Sequence, residues 1–246
     1  MVSARAGFRH EPGHRADRTG RVERDASRRR REPGDMSRPS RFALELSRRT
    51  FADYLLFGVT GVELALLFVL TPSFGFVDWI YVVQHVLVLG IALTRRPLAA
   101  QDRSLPTSAA VVVTYAYPYA QVAYLRWEPG DEAWPTGGLV LVTLAGCLSL
   151  ASLLALGRRF GVRPAVRGIE TSGPYGLVRH PMYLAYVLSD IGYNLEEWNG
   201  GTVLMVVAGW VALFYRLMAE ERILARDPGW PAYTARVRYR LLPGLW

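Results

Sequence analysis

The chain has 246 residues, 51% of them apolar, a formal net charge of +8 and one cysteine. A lone Cys147 can close no internal disulfide and build no thiolate metal cluster, which excludes a secreted disulfide scaffold and a zinc ribbon. All 29 basic residues are Arg, and 14 of them fall in residues 1–49 beside 7 acids, whereas residues 50–246 hold 15 Arg and 14 acids; the positive balance belongs to an arm, and gives no support to nucleic-acid binding by the body.

Residues 1–49 open with a stretch dense in Arg, Gly, Pro and Asp whose first 35 residues contain one aromatic, Phe8. Such a segment buries too little apolar area to offset its ordering entropy and is expected to be a disordered, cytoplasmic tail. It lacks the apolar core of a signal peptide. Patternless Arg runs carry no base-reading or stacking logic. The tail therefore reads as topogenic, or as an extension upstream of a start at Met36, ahead of an RNA- or headgroup-binding arm.

After Thr50 the character changes. Apolar runs follow at Tyr54–Leu70, Val77–Thr94, Leu105–Leu125, Gly138–Gly157, Met182–Leu195 and Thr202–Met218. A helix rises about 1.5 Å per residue, so about 20 residues cross roughly 30 Å of hydrocarbon. Most of these runs are long enough, which excludes an ordinary soluble enzyme, but Met182–Leu195 spans only about 21 Å and needs flanking residues, local thinning or a hairpin arrangement. Alternate inter-run segments, with the two tails, collect 28 Arg on one side and one on the other. The positive-inside rule reads this as an all-α, polytopic bundle of about five to six crossings, with both termini cytoplasmic.

Ionisable residues inside apolar runs are costly and face protein or a cavity. Glu63 and His85 have no partner visible by spacing and read first as interhelical hydrogen-bonding groups. Asp190 and Asn194, at i and i+4, share a helical face and stand open between structural and functional roles. Ala145, Gly146, Ala151 and Ala155 read as close-packing positions.

The stretch Arg158–Arg179 leads into Arg179-His180-Pro181-Met182-Tyr183 and then directly into the fifth run. Gly168, Gly173 and Gly176 permit unusual backbone angles and close ligand approach. Pro181 can open a helix at its first turn, where its missing N–H costs nothing. His180 then stands beside freed backbone donors that favour a neutral, hydrogen-bonding ring. Arg216 and Glu220 are i and i+4 at the end of the last run, followed by Glu221, and alone they read as a surface salt bridge of little worth.

Together the two clusters are specific. Thr171-Ser172-Gly173-Pro174-Tyr175, then Arg179-His180-Pro181-Met182-Tyr183, then Glu220-Glu221, with Gly229, Tyr233, Arg236-Val237 and Pro243 behind them, resembles the isoprenylcysteine carboxyl methyltransferases and their relatives the phospholipid methyltransferases. The resemblance covers about residues 155–246. It implies an integral membrane methyltransferase that uses S-adenosylmethionine in a cytoplasm-facing pocket and acts on a lipophilic or lipidated acceptor, with membrane lipids as surroundings and no nucleic-acid partner. It also implies cofactor contacts at Tyr175, at His180, Pro181, Met182 and Tyr183, and at Glu220, with Arg216 orienting the acceptor. Arg216, His180 and Glu220 are thus the catalytic candidates, and no metal site is implied. The family also uses the segment Gly168-Ile169-Glu170, where this chain carries a charged Glu170 in place of the usual apolar residue and Arg167 in place of a frequent His. The expected organisation is a tail over 1–49, membrane helices over 50–157, and a methyltransferase region with the last two membrane helices over 158–246. An Arg-rich, Lys-free composition points to a bacterial inner membrane.

A carboxylate acceptor is ionised at neutral pH and needs no base, whereas an amine or thiol must lose a proton to Glu220, Glu221 or His180. Two rivals remain. A steroid-reductase-like membrane enzyme using a nicotinamide cofactor shares the Arg-His-Pro segment, but its phosphates would prefer Arg where this chain has paired acids. A non-catalytic membrane scaffold would use the same residues for packing only.

Overall fold

The computed structural model describes residues 51–70, 74–94 and 100–244; the expected disordered tail over residues 1–49 lies outside them. Contacts divide the chain into Met1–Ser47 and Arg48–Trp246, and every described residue belongs to the second unit.

The expected all-α architecture is the observed one. The apolar runs fold as α1 (Phe51–Leu70), α2 (Phe76–Thr94), α3 (Leu105–Leu125), α4 (Pro135–Leu156), α5 (Pro181–Glu196) and α6 (Gly200–Leu224), followed by a short α7 (Trp230–Arg236). The strands among the described residues are a two-residue ribbon, β1 (Ala100–Gln101) antiparallel to β2 (Ala165–Val166), with Ala100 opposite Val166. Local chemistry sets the helix starts. Ser104 caps α3, its Oγ accepting from Thr107 N at 3.4 Å, and Pro stands in the first turn of α3, α4 and α5, where no amide is missed.

Among the described residues, three helices are by themselves long and apolar enough to cross a membrane: α2, α4 with the turn that follows it to Arg159, and α6. Beside them α1 contributes a shorter apolar stretch, Phe57–Val69, and α3 is interrupted by Pro118. At 16 residues α5 spans only about 24 Å, so the fifth run stays short of a bilayer's hydrocarbon core. The outer faces are apolar: Val112, Val140, Leu144, Leu204 and Val211 are all exposed, a surface that water would penalise and lipid accepts.

Helix packing places the site. α4 and α5 form a tight antiparallel hairpin, possible because Gly138 and Gly192 face each other. A Cβ on Gly138 would lie 2.6 Å from Gly192 O, and one on Gly192 would lie 2.6 Å from Val142 Cγ2. α3 lies along α6, α2 along α4, and α1 along α2. Of the expected packing positions, Ala145 is fully buried, Gly146 meets Ile80, and Ala155 lies under Gly173, whereas Ala151 is exposed. Two apolar clusters hold the Arg-rich end together. One joins Val88, Ala92, Leu153, Phe160 and Met182; the other joins Tyr183, Leu213 and Leu217, with Leu241 from the C-terminal stretch packed against it.

Candidate active site

The segment between α4 and α5 is laid across the Arg-rich end of the bundle and pinned at several points. The β1–β2 ribbon ties it to the start of α3, with Asp102 N donating to Pro164 O at 3.1 Å. Gly168 adopts φ +89° and Gly173 φ +54°, backbone states that glycine enters without strain. Between them Glu170 anchors the turn: the N–H groups of Thr171 and Ser172 each donate to its Oε1 at 2.9 Å, and Arg159 pairs with its other oxygen. Burial opposes ionisation of the Glu170 carboxyl. The donors of Ser172 and Thr171 and the nearby Arg159 cation outweigh it and hold the group below the ordinary carboxylate range. The expected cofactor contact at Glu170 is therefore committed to the loop itself. Ile169 lies within packing distance of Gly229, at the start of α7.

The Arg-His-Pro segment then meets the end of α6. His180 sits at the N-cap position of α5 and is 3% exposed, yet its side chain does not cap the helix. Beside the helix start the ring turns to Glu221, with Nε2 donating to Oε1 at 3.4 Å. Glu221 also gathers two arginines: Arg179 Nη1 donates to Oε1 at 2.9 Å and Arg240 Nε to Oε2 at 2.8 Å. Arg179 also grips the chain beyond α7, donating from Nε to Val237 O at 2.9 Å and from Nη2 to Arg238 O at 2.7 Å. The backbone amides of Arg179 and His180 complete the seam, each donating at 2.9 Å to the carbonyls of Tyr239 and Arg240. Glu221 is thus fully engaged in holding the segment to the C-terminal stretch, which removes it as a candidate base.

Its neighbour points elsewhere. Consecutive helical residues differ by about 100° in direction. Glu220 accordingly turns toward α5, where Tyr183 Oη donates to its Oε2 at 2.5 Å; its Oε1 has no partner among the described residues. Tyr183 is buried and stands edge-on to His180, 5.4 Å between ring centroids. Pro181 and Met182 are buried beside it, Met182 in the core cluster shared with α2 and α4. Tyr175 is buried too, its carbonyl accepting from Tyr233 Oη at 2.9 Å, which ties the turn to α7. Burial is the first cause that pushes both phenols up, Tyr233 to about 12 and Tyr175 well above its ordinary value.

Arg216 departs most from expectation. Instead of a surface salt bridge with Glu220, it is 5% exposed. Its guanidinium lies 5.4 Å from the ring centroids of both Tyr115 and Tyr183, donates from Nη1 to Thr114 Oγ1 at 3.3 Å and from Nη2 to Val162 O at 2.8 Å, and keeps a buried Nε without a partner among the described residues. Thr114 and Tyr115 also line a cavity of about 690 Å³ that runs through the bundle past Met182 and Tyr186. The sequence motifs thus converge on one patch: His180, Tyr183, Glu220 and the Arg216 guanidinium surround the junction of α5 and α6. Sequence reasoning missed Thr114, Tyr115, Arg179 and Arg240. Arg179 stood inside the quoted motif, while the α3 pair carried no signal beyond a polar interruption of an apolar run.

The other intramembrane polar groups find partners across helices. Asp190 Oδ2 accepts from Tyr117 Oη at 2.6 Å and Trp210 Nε1 at 2.8 Å, and Asn194 bridges Asp190 O and Thr202, so both residues knit α3, α5 and α6. Glu63 and His85 find each other across α1 and α2 at 3.7 Å.

A search of curated proteins returns no match for the chain. A family model does match, that of the phospholipid methyltransferases, over residues 134–227. The matched stretch runs from the start of α4 to just beyond α6 and contains every candidate site residue from Gly168 to Glu220. With its apolar outer faces and membrane-length helices, the chain is a membrane protein whose residues 134–227 match the phospholipid methyltransferase family.

Proposed function

We propose that the protein transfers a methyl group from S-adenosylmethionine to a lipophilic acceptor that enters from the bilayer, at a site on the Arg-rich, cytoplasmic end of the bundle of a bacterial inner membrane protein. One observation carries the reading: the two motifs that the family match embraces fold into direct contact, Tyr183 on Glu220 at 2.5 Å and His180 on Glu221 at 3.4 Å.

The residues suit that cofactor. When bound, it supplies an electrophilic methyl group on a sulfonium, flanked by an ammonium group and a ribose with hydroxyl donors. Glu220 Oε1, without a partner among the described residues, accepts from such donors. The open backbone at Gly168, where an added Cβ would meet nothing nearer than Arg159 Nε at 3.7 Å, admits a close approach. Tyr175, Tyr183 and Met182 supply apolar walls. Arg216 serves the acceptor: its orphaned Nε asks for an anionic or carbonyl oxygen, and the rings of Tyr115 and Tyr183 hold the guanidinium flat for it. Fixing both partners at one boundary turns an encounter between two phases into a near-unimolecular displacement, an advantage of about 7–11 kcal/mol at best. With Glu221 occupied, an acceptor that must lose a proton would pass it to Glu220 or His180. The reductase alternative rests on Arg-His-Pro alone.

The test is calorimetry on the protein in detergent. S-adenosylmethionine should bind, and Glu220→Ala should weaken it about ten-fold, the loss of roughly one charge-assisted hydrogen bond. Wild-type protein that folds and inserts but binds no S-adenosylmethionine would overturn the proposal.

A further inference from the structure

The cavity continues past Met182 into the middle of the bundle, where its lining turns polar. Glu63 from α1 and His85 from α2 meet there at 3.7 Å, His85 Nδ1 donating to Tyr81 O at 2.7 Å and leaving Nε2 toward the carboxylate. Gln84 and Ser149 line the same space, and Gln84 Oε1 and Ser149 Oγ are buried without a partner among the described residues. Ser149 is 4% exposed, so it has no outside surface to turn to.

Helix register brings these atoms to one depth. Ile80 of α2 packs on Gly146 of α4, and Val88 packs with Leu153 and Met182 in a common cluster. Gln84 and Ser149 therefore stand between those two contacts, about one helical turn, roughly 5 Å, from the level of Met182. An unpartnered buried oxygen is expensive, and the interior of a bilayer offers no bulk water to relieve it. Gln84 Oε1 can only accept hydrogen bonds, and Ser149 Oγ can do so. A hydrocarbon chain at this depth would leave these two oxygens unpaired.

We propose that this mid-bundle stretch, bounded by Glu63, Gln84, His85 and Ser149, is a binding subsite for a hydrogen-bond donor, an amine or a hydroxyl, on a lipophilic ligand. Resting on the function proposed above, it specifies the acceptor: a lipophile whose second polar group lies one to two helical turns, about 5–11 Å, deeper in the membrane than the group that receives the methyl. It also separates the acceptor from lipophiles that are plain hydrocarbon below their reactive end.

The test is photolabelling of the full chain in phosphatidylcholine nanodiscs with a diazirine-bearing tetradecanol, adducts being mapped by mass spectrometry. Labelling of α2 and α4 should be displaced by tetradecanol and tetradecylamine at concentrations about ten-fold below those needed of tetradecane, the value of roughly one hydrogen bond. A lead of amine over alcohol assigns Glu63 as the charged partner, and the reverse assigns Gln84 and Ser149. Gln84→Leu with Ser149→Ala should abolish the lead of tetradecanol over tetradecane, and Glu63→Gln any lead of amine over alcohol, while calorimetric binding of S-adenosylmethionine is unchanged. Equal displacement by tetradecane, or a tetradecanol lead that survives the double substitution, overturns the subsite. Donor preference in protein that binds no S-adenosylmethionine would support the subsite and sink the methyltransferase reading alone.

Discussion

Glu221→Gln tests how the site is held together. The carboxylate accepts from Arg179 at 2.9 Å, Arg240 at 2.8 Å and His180 at 3.4 Å. Stripping a partner from a fully buried ion pair costs about 3–5 kcal/mol. Here the loss is smaller, because Arg179 keeps its bonds to Val237 O and Arg238 O and the Arg240 side chain is 29% exposed, where water replaces much of the pair. A glutamine also turns one donor toward a cluster of donors. The expected cost is about 2 kcal/mol, placed on the seam between the Arg-His-Pro segment and residues 237–240. The amides of Arg179 and His180, which donate across that seam, report it directly. Their hydrogen exchange in nanodiscs should accelerate about thirty-fold, with the centre of α4 unaffected. Unchanged protection of those two amides in inserted protein would refute the assignment of Glu221 as the tie.

Arg216→Lys keeps the charge but cannot bond Thr114 and Val162 together while lying flat between two tyrosines, so turnover with the acceptor should fall about ten- to a hundred-fold at unchanged S-adenosylmethionine affinity; steady-state kinetics with calorimetry check the split. Glu170 carries the pH dependence of the loop. Its folded value lies below the ordinary 4.5, so the stabilisation is complete above 4.5 and is lost as pH falls through the folded value. Limited proteolysis at residues 168–177 should therefore quicken on acidification in wild type, and be fast already at neutral pH and nearly flat with pH in Glu170→Gln. Gly138→Ala places a Cβ 2.6 Å from Gly192 O and 2.7 Å from Glu196 N, both backbone atoms that cannot swing away. About 1–3 kcal/mol should be lost, read as a lower thermal midpoint in detergent.

What was legible in the sequence was whatever repeats along one helix. Apolar runs between charged segments gave α3 as Leu105–Leu125 and placed α2, α4 and α6 within a few residues, because lipid demands length and apolarity of each span separately. The motif residues were legible as a set, and the fold brings His180, Tyr183, Arg216 and Glu220 to one junction. Relations between helices were not. Glu63 and His85 pair across two helices, and no spacing rule connects positions on different helices. Glu220 and Glu221 read as one acidic pair, yet the turn of the helix sends one to Tyr183 and the other to two arginines and His180. Arg216 and Glu220 share a face by count, but α3 supplies two aromatic and hydroxyl partners that draw the guanidinium inward. Glu170 was an anomaly against the resemblance until the loop showed that its carboxylate closes its own turn.

The glycine contact between Gly138 and Gly192 reaches further than the hairpin it closes. It fixes α4 and α5 at their far ends, so the segment joining their near ends rests on two piers whose spacing is already set before any ligand arrives. The reacting groups therefore travel as one cassette from α4 through α6, while Glu63, His85, Gln84, Thr114 and Tyr115 belong to the three helices ahead of it. On the function proposed above, a chimaera joined near residue 134 should keep S-adenosylmethionine binding while exchanging what the first three helices contribute to the acceptor's place.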